Sequence, residues 1–134
     1  MFAIILIIAM VMPIAGLFLS FVYFSSYKRP VLAAILCGIA FSAALYGYVP
    51  DSGNDIYRHM ENAVLYSDVP FYNAFDLLKN DIAHISSTYS WDLWLWIISS
   101  FHNEYLLQSS GAFVGYSLIS YMVFSQAKHN NLLM

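Results

Sequence analysis

The sequence predicts an all-α membrane protein with three or four transmembrane helices and an external segment of short interfacial helices. Two observations lead to this fold class. Of the 134 residues, 60% are hydrophobic and only 10% are charged, whereas a soluble domain has about a quarter of its residues charged. Charge is also absent from three stretches long enough to cross a bilayer core of about 30 Å, namely Met1 to Tyr27, Val31 to Val49 and Tyr105 to Ala127.

The amino-terminal stretches predict two transmembrane helices, at about residues 2–24 and 31–49. Pro13 and Gly16 lie near the middle of the first helix, where a membrane helix tolerates a bend. The second helix follows the short turn Lys28-Arg29-Pro30, in which the proline is well placed to begin a helix. By the positive-inside rule this basic turn is expected in the cytoplasm, so the segment after the second helix is expected outside.

That external segment, residues 51–87, has helical spacing in two places, at about 55–66 and 71–83. Between Asp51 and Asp92 the chain has seven acids against two basic residues, in agreement with an external location. Amphipathic helices of this kind lie along a membrane surface.

The carboxy-terminal third predicts a helix at 88–102 and another at 105–126. Three tryptophans open the first of these, as is typical of a membrane headgroup belt, so the helix is either a short span or a re-entrant segment. If it spans, Lys128 ends outside; if it lies at the interface, Lys128 ends inside. The sequence alone leaves both alternatives open.

A polar cluster begins the external segment, and it is the candidate site. Asp55, Arg58, His59 and Asn62 follow the i, i+3, i+4, i+7 spacing of one helix face. In the structural interpretation, Asp55 caps the helix and pairs with Arg58, with no further role. In the functional one, the Arg58 guanidinium binds phosphate oxygens and Asp55 accepts a proton from a hydroxyl group.

Other classes of function have little support in the sequence. The single cysteine, Cys37, excludes an intramolecular disulfide and a CxxC-type metal site. Asp55 and His59 have metal-ligand spacing without a third ligand in view, so no metal and no cofactor are predicted. The formal net charge is -3 and no basic patch is evident, so nucleic acid is not a predicted partner.

Three segments of the chain, the first of which contains part of the polar cluster, carry a resemblance to a known family. The first begins with Gly53 and has a G-x-D-x-x-R-H pattern, the second is rich in tryptophan, and the third is an asparagine-containing turn. They are Gly53-Asn54-Asp55-Ile56-Tyr57-Arg58-His59, Ser90-Trp91-Asp92-Leu93-Trp94-Leu95-Trp96-Ile97-Ile98 and Phe101-His102-Asn103-Glu104-Tyr105-Leu106-Leu107. In their order they resemble the EpsG-type and Wzy-like polysaccharide polymerases.

The resemblance implies polymerisation or glycosyl transfer at the outer face of a bacterial cytoplasmic membrane. The substrates would be polyprenyl-diphosphate-linked oligosaccharides, and proteins of a polysaccharide export system would be partners. Arg58 would contact the diphosphate, Asp55 would orient Arg58 or the acceptor, and His59 and Asn62 would complete the substrate-binding set.

The chain departs from the family pattern in two ways. Asp92 is followed by leucine where the family more often has a Glu-Pro pair, and family members have more spans than this chain offers. We therefore expect a single membrane domain over residues 1–134 that is an amino-terminal fragment of a polymerase, inactive alone. The alternative is a small non-catalytic membrane protein that packs against a larger partner through small residues of its second helix, namely Ala33, Ala34, Gly38, Ala43 and Ala44.

Overall fold

A computed structural model describes residues 1–49, 51–68, 70 and 89–130. In these ranges the chain forms helices α1 (Phe2–Val11), α2 (Pro13–Tyr27), α3 (Pro30–Leu45), α4 (Asp55–Tyr66), α5 (Tyr89–Ser99) and α6 (Tyr105–His129). Contacts divide the chain into two compact units. Unit 1 is Met1–Tyr46 with Ser109–Met134, and unit 2 is Gly47–Gln108.

The first apolar stretch folds as a helical hairpin. Met12 leaves the helical conformation, with φ -132° and ψ 78°, and Pro13 begins α2. Gly16 then approaches Ala9 so closely that a Cβ on residue 16 would overlap the Ala9 backbone. At the far end of the hairpin, the Tyr27 hydroxyl donates a hydrogen bond of 3.2 Å to the sulfur of Met1. The single bent helix predicted at 2–24 is therefore two antiparallel helices.

The remaining helices of unit 1 continue the antiparallel order. Lys28 ends α2 in the left-handed region, with φ 51° and ψ 35°, and α3 runs back beside α2. Along α6, Gly38 of α3 meets the hydroxyl of Ser117, and the Phe41 ring stacks on Tyr116 with centroids 3.7 Å apart. Unit 1 is thus an arrangement of four helices in which α2 and α6 run in the same direction.

The core of unit 1 is apolar and aromatic, with small residues where the helices approach most closely. Phe24 of α2 stacks on Phe124 of α6 with ring centroids 4.7 Å apart, and both side chains are fully buried. Ser20 and Cys37 join α2 to α3 by a buried contact of 2.8 Å between Oγ and Sγ. The buried cluster is Ile5, Tyr23, Phe24, Ala33, Ala34, Leu36, Cys37 and Phe124.

The membrane-spanning prediction is wrong. Among the described residues, the structure has no helix that combines the length and the apolar character needed to cross a membrane. The hairpin break at Met12 leaves α1 with 10 residues, about 15 Å at the usual rise per residue. α3 ends at Leu45 rather than near 49, and the 25-residue α6 includes Gln108, Ser109 and Ser110. A polytopic protein with three or four transmembrane helices is therefore not supported. A function that depends on such spans is not supported either.

Unit 2 packs α4 against α5. The helix predicted at 55–66 is confirmed as α4, and the helix predicted at 88–102 is shorter, ending at Ser99. The helix predicted at 71–83 lies outside the described residues. The buried cluster of unit 2 joins α4, α5 and the first turn of α6 and consists of Met60, Ala63, Tyr66, Leu95, Ile98 and Leu107.

Candidate functional site

The first turn of α4 is fixed by its amino-terminal cap. The side chain of Asn54 accepts a hydrogen bond of 3.1 Å from the backbone N–H of Ile56, which is the bonding pattern of a favourable cap residue. Asp55 follows in the first turn, where the helix dipole favours a negative charge. The cap and the helix dipole, both local interactions, therefore stabilise the amino-terminal turn of α4 that carries the Asp55 carboxylate.

Three of the four predicted site residues come together here. An oxygen of Asp55 accepts a 2.5 Å hydrogen bond from the Arg58 guanidinium. The other oxygen of Asp55 lies 3.2 Å from Nε2 of His59. The contact becomes an ion pair when the imidazole is protonated. The side chain of Asn62 lies outside the part of the chain that the structure describes, although its backbone belongs to α4.

Exposure distinguishes the members of this cluster. The Arg58 and Asp55 side chains are 62% and 70% exposed, whereas the His59 side chain is 11% exposed. An exposed carboxylate and guanidinium in mutual contact contribute about 0 to 1 kcal/mol to stability. The pairing of Asp55 with Arg58 agrees with the structural interpretation, but the capping role that it gave to Asp55 is wrong, because the cap is Asn54 and Asp55 is the first residue of the helix. The pairing also leaves a hydrogen-bonding guanidinium at the surface, where an anion can reach it.

A cavity of about 90 Å³ lies elsewhere in unit 2. It is bounded by the last turns of α4, by the end of α5 and by the loop before α6, and its lining residues are Ala63, Val64, Ser67, Ser99, His102, Asn103 and Glu104. Of the predicted site residues that the structure describes with their side chains, Asp55, Arg58 and His59 do not line it. The sequence predicted the His102-Asn103-Glu104 turn but gave no sign that it faces α4, because the two segments are far apart along the chain.

The chemistry of this cavity is limited by bonds already made. Its volume of about 90 Å³ is several times the minimum that one water molecule needs, so the cavity has room for several waters. The Ser67 and Ser99 hydroxyls donate to the carbonyls of Val64 and Trp96 at 2.7 Å, and Asn103 accepts from the backbone N–H of Tyr105 at 3.2 Å. No group of three or more potential metal ligands occurs among the described residues.

Unit 1 presents a different kind of surface, made of large apolar side chains. On α2, Ile14 and Phe18 are one turn apart and are 86% and 68% exposed. On α6, Met122 is 68% exposed. The other strongly exposed apolar side chains of α1, α2 and α6 are Ile4, Ile7, Met10, Val11, Phe21, Leu118, Ile119 and Val123. We call this set, with Ile14, Phe18 and Met122, the apolar surface of unit 1.

Comparisons with known proteins identify no relative: no family model, no curated protein and no solved structure matches the chain. The resemblance to EpsG-type and Wzy-like polymerases therefore stays a prediction. The roles assigned to Asp55, Arg58, His59 and Asn62 stay predictions with it.

Proposed function

We propose that the chain is a non-catalytic membrane-associated protein whose unit 1 embeds its apolar surface in lipid. The observation that carries this proposal is the exposure of large apolar side chains on α1, α2 and α6 of unit 1. Scattered apolar residues are normal at a protein surface. On α2, however, Ile14, Phe18 and Phe21 share one face, and an exposed apolar face marks a binding surface for lipid or protein.

The distribution of charge favours lipid over a protein groove. A protein interface has an apolar centre and a polar, charged rim. Residues 1–27 and 109–127 contain no charged residue at all, so α1, α2 and most of α6 lack such a rim. Side chains without nearby charges suit the acyl region beneath the headgroups.

The position we propose is interfacial. Helices that lie in the membrane interface bury one face to a depth of about 5 to 10 Å. On α2 the exposed side chains Ile14, Phe18 and Phe21 follow the i, i+4, i+7 spacing of one face, which is the arrangement such a position requires. The opposite face of the helix, with Ser20, Tyr23 and Phe24, is buried in the core.

Vesicle flotation tests the proposal. Wild-type protein should float with phosphatidylcholine vesicles, and Ile14→Asn with Phe18→Asn should weaken partitioning at least tenfold. Each apolar side chain contributes about 1.5 to 3 kcal/mol when fully transferred, and even partial embedding of two of them exceeds the 1.4 kcal/mol that corresponds to tenfold. The matched control, Ile14→Leu with Phe18→Leu, should float as the wild type does. Equal flotation of all three proteins would contradict the proposal.

A second candidate function follows from the resemblance, and the Asp55–Arg58 pair favours it. Here the chain would be the amino-terminal part of a polysaccharide polymerase, and Arg58 would contact the diphosphate of a polyprenyl-linked oligosaccharide. His59 would hold Asp55 from the side of the unit 2 core. The pair supports this candidate only through its chemistry, since guanidinium groups suit phosphate oxygens.

Complementation tests the second candidate. In a bacterial strain that depends on the gene for its long-chain polysaccharide, Arg58→Gln should shorten or abolish the polymer and Arg58→Lys should restore part of it. Long polymer in a strain that carries Asp55→Ala together with Arg58→Ala would exclude this role.

A further inference from the structure

We infer that one end of unit 1, formed by Lys28, Arg29 and Lys128, binds the headgroups of anionic lipids. This inference rests on the proposed function, since it assigns a headgroup preference to a unit proposed to embed in lipid. The three residues are called the basic end below. Anionic lipid headgroups match both the positive charge of the basic end and the apolar side chains around it.

The fold brings the basic end together from distant parts of the sequence. Phe24 and Phe124 stack on each other in the core, and α2 and α6 run in the same direction. Lys28 follows Phe24 by four residues, and Lys128 follows Phe124 by four residues, so each lysine lies one helical turn beyond the stacked pair. The Lys28 ammonium lies 5.6 Å from the centroid of the Phe24 ring.

Packing at the end of α6 agrees with this placement. Ala127 packs against the core cluster that contains Ala33 and Ala34, which are in the first turns of α3. Arg29 immediately precedes α3, and Arg29 and Lys128 are both exposed. The end of α6 thus lies beside the turn between α2 and α3.

The charge of unit 1 has one sign. Residues 1–46 and 109–134 contain Lys28, Arg29 and Lys128 and no aspartate or glutamate. All eight acids of the protein fall within residues 47–108. Unit 1 therefore has no acidic side chain that could compete with a lipid phosphate for these cations.

Apolar side chains surround the basic end, as lipid binding requires. Tyr27 is exposed next to Lys28, and Met122 and Val123 are exposed in the turns of α6 before Lys128. Long basic side chains extend towards a polar phase while their methylene groups cover apolar surface. With the apolar surface among the acyl chains, the three cations are at the level where headgroup phosphates lie.

Flotation with two kinds of vesicle tests the inference. Wild-type protein should bind phosphatidylcholine vesicles that contain phosphatidylglycerol more tightly than vesicles of phosphatidylcholine alone, and high salt should abolish the difference because it screens charge. Each basic residue near an anionic surface is worth about fivefold in binding. Arg29→Gln with Lys128→Gln should therefore weaken binding to the anionic vesicles about 25-fold and leave binding to the neutral ones unchanged.

The matched control is Arg29→Lys with Lys128→Arg, which exchanges the same side chains and keeps the charge. It should retain the preference for anionic vesicles, and circular dichroism should show equal helix content in all three proteins. Equal binding of the wild type to both vesicles, or an unchanged preference in the glutamine variant, would overturn the inference while the proposed function stands. Failure to bind either vesicle would overturn the proposed function itself.

Discussion

Gly38 of α3 lies against Ser117 of α6, so close that a Cβ on residue 38 would overlap the Ser117 hydroxyl and crowd the Phe113 carbonyl. The Ser117 hydroxyl is buried there, and none of the described residues forms a hydrogen bond with it. The gain from this contact is therefore close packing of two helices rather than a hydrogen bond. Gly38 was among the small residues that the sequence offered for close helix contact, and it serves that purpose within the chain.

Gly38→Ala should lower the free energy of unfolding, because the new methyl group must displace α6. Overpacking of this kind costs about 1 to 3 kcal/mol. Gly115→Ala is the matched control, since a Cβ there meets nothing within 4 Å. It should stabilise the protein by up to about 1 kcal/mol through helix propensity. Chemical unfolding followed by circular dichroism measures both, and equal effects would argue against the contact between α3 and α6.

Gly16→Ala should destabilise the hairpin of α1 and α2 more than Gly38→Ala destabilises the contact between α3 and α6. The atoms that a Cβ would meet include the Ala9 backbone, which cannot rotate away as a side chain can. We expect a loss of at least about 2 kcal/mol, towards the upper part of the overpacking range. Gly111→Ala, where a Cβ also meets open space, is the control. An unfolding free energy unchanged by Gly16→Ala would mean that α1 does not fold back on α2.

The stability of the amino-terminal turn of α4 should depend more on the Asn54 cap than on the Asp55–Arg58 ion pair. Asn54→Ala removes the acceptor for the Ile56 N–H and should cost about 1 kcal/mol, whereas Arg58→Gln removes an exposed pair and should cost about 0.5 kcal/mol or less. Hydrogen exchange at the Ile56 amide distinguishes the two, since only Asn54→Ala should speed it. Faster exchange in Arg58→Gln alone would show that the ion pair holds the helix end.

The core of unit 2 should depend on Leu95 and not on Leu93. Leu95 is fully buried between α4 and α5, and Leu93 on the same helix is partly exposed. Leu95→Ala should cost about 2 to 5 kcal/mol, and Leu93→Ala about 0.5 kcal/mol. Chemical unfolding with tryptophan fluorescence as the probe follows this unit directly, because all three tryptophans of the protein lie at Trp91, Trp94 and Trp96. Similar losses in the two variants would contradict the packing of α5.

Local signals in the sequence predicted a helix well where capping and periodicity determine its bounds. The helix at 55–66 follows from a cap residue and a polar face, and the pairing of Asp55 with Arg58 follows from their spacing. The hairpin did not follow, although Pro13 and Gly16 were recognised as a bend. Its sharpness depends on the contact of Gly16 with Ala9, which is tertiary.

The cavity of unit 2 was missed for the same physical reason. Its walls come from Ala63 to Ser67 and from Ser99 to Glu104, and only the packing of α4 on α5 brings them together. The prediction of membrane spans from hydropathy was wrong for a different reason. Hydropathy measures how apolar a stretch of chain is and carries no information on where a helix ends. It therefore joined α1 and α2 into one span and extended α3 beyond Leu45.

The environment of α2 in the presence of lipid tests most directly whether the apolar surface is embedded. A spin label at Phe18→Cys, in a Cys37→Ala background, reports collisions with oxygen, which concentrates in the acyl region, and with a water-soluble nickel chelate. A label at the exposed Ser52 of unit 2, introduced as Ser52→Cys, is the control. With vesicles present, we expect oxygen to dominate at residue 18 and the nickel chelate to dominate at residue 52. Nickel collisions at residue 18 as frequent as those at residue 52 would contradict embedding of the apolar surface in lipid.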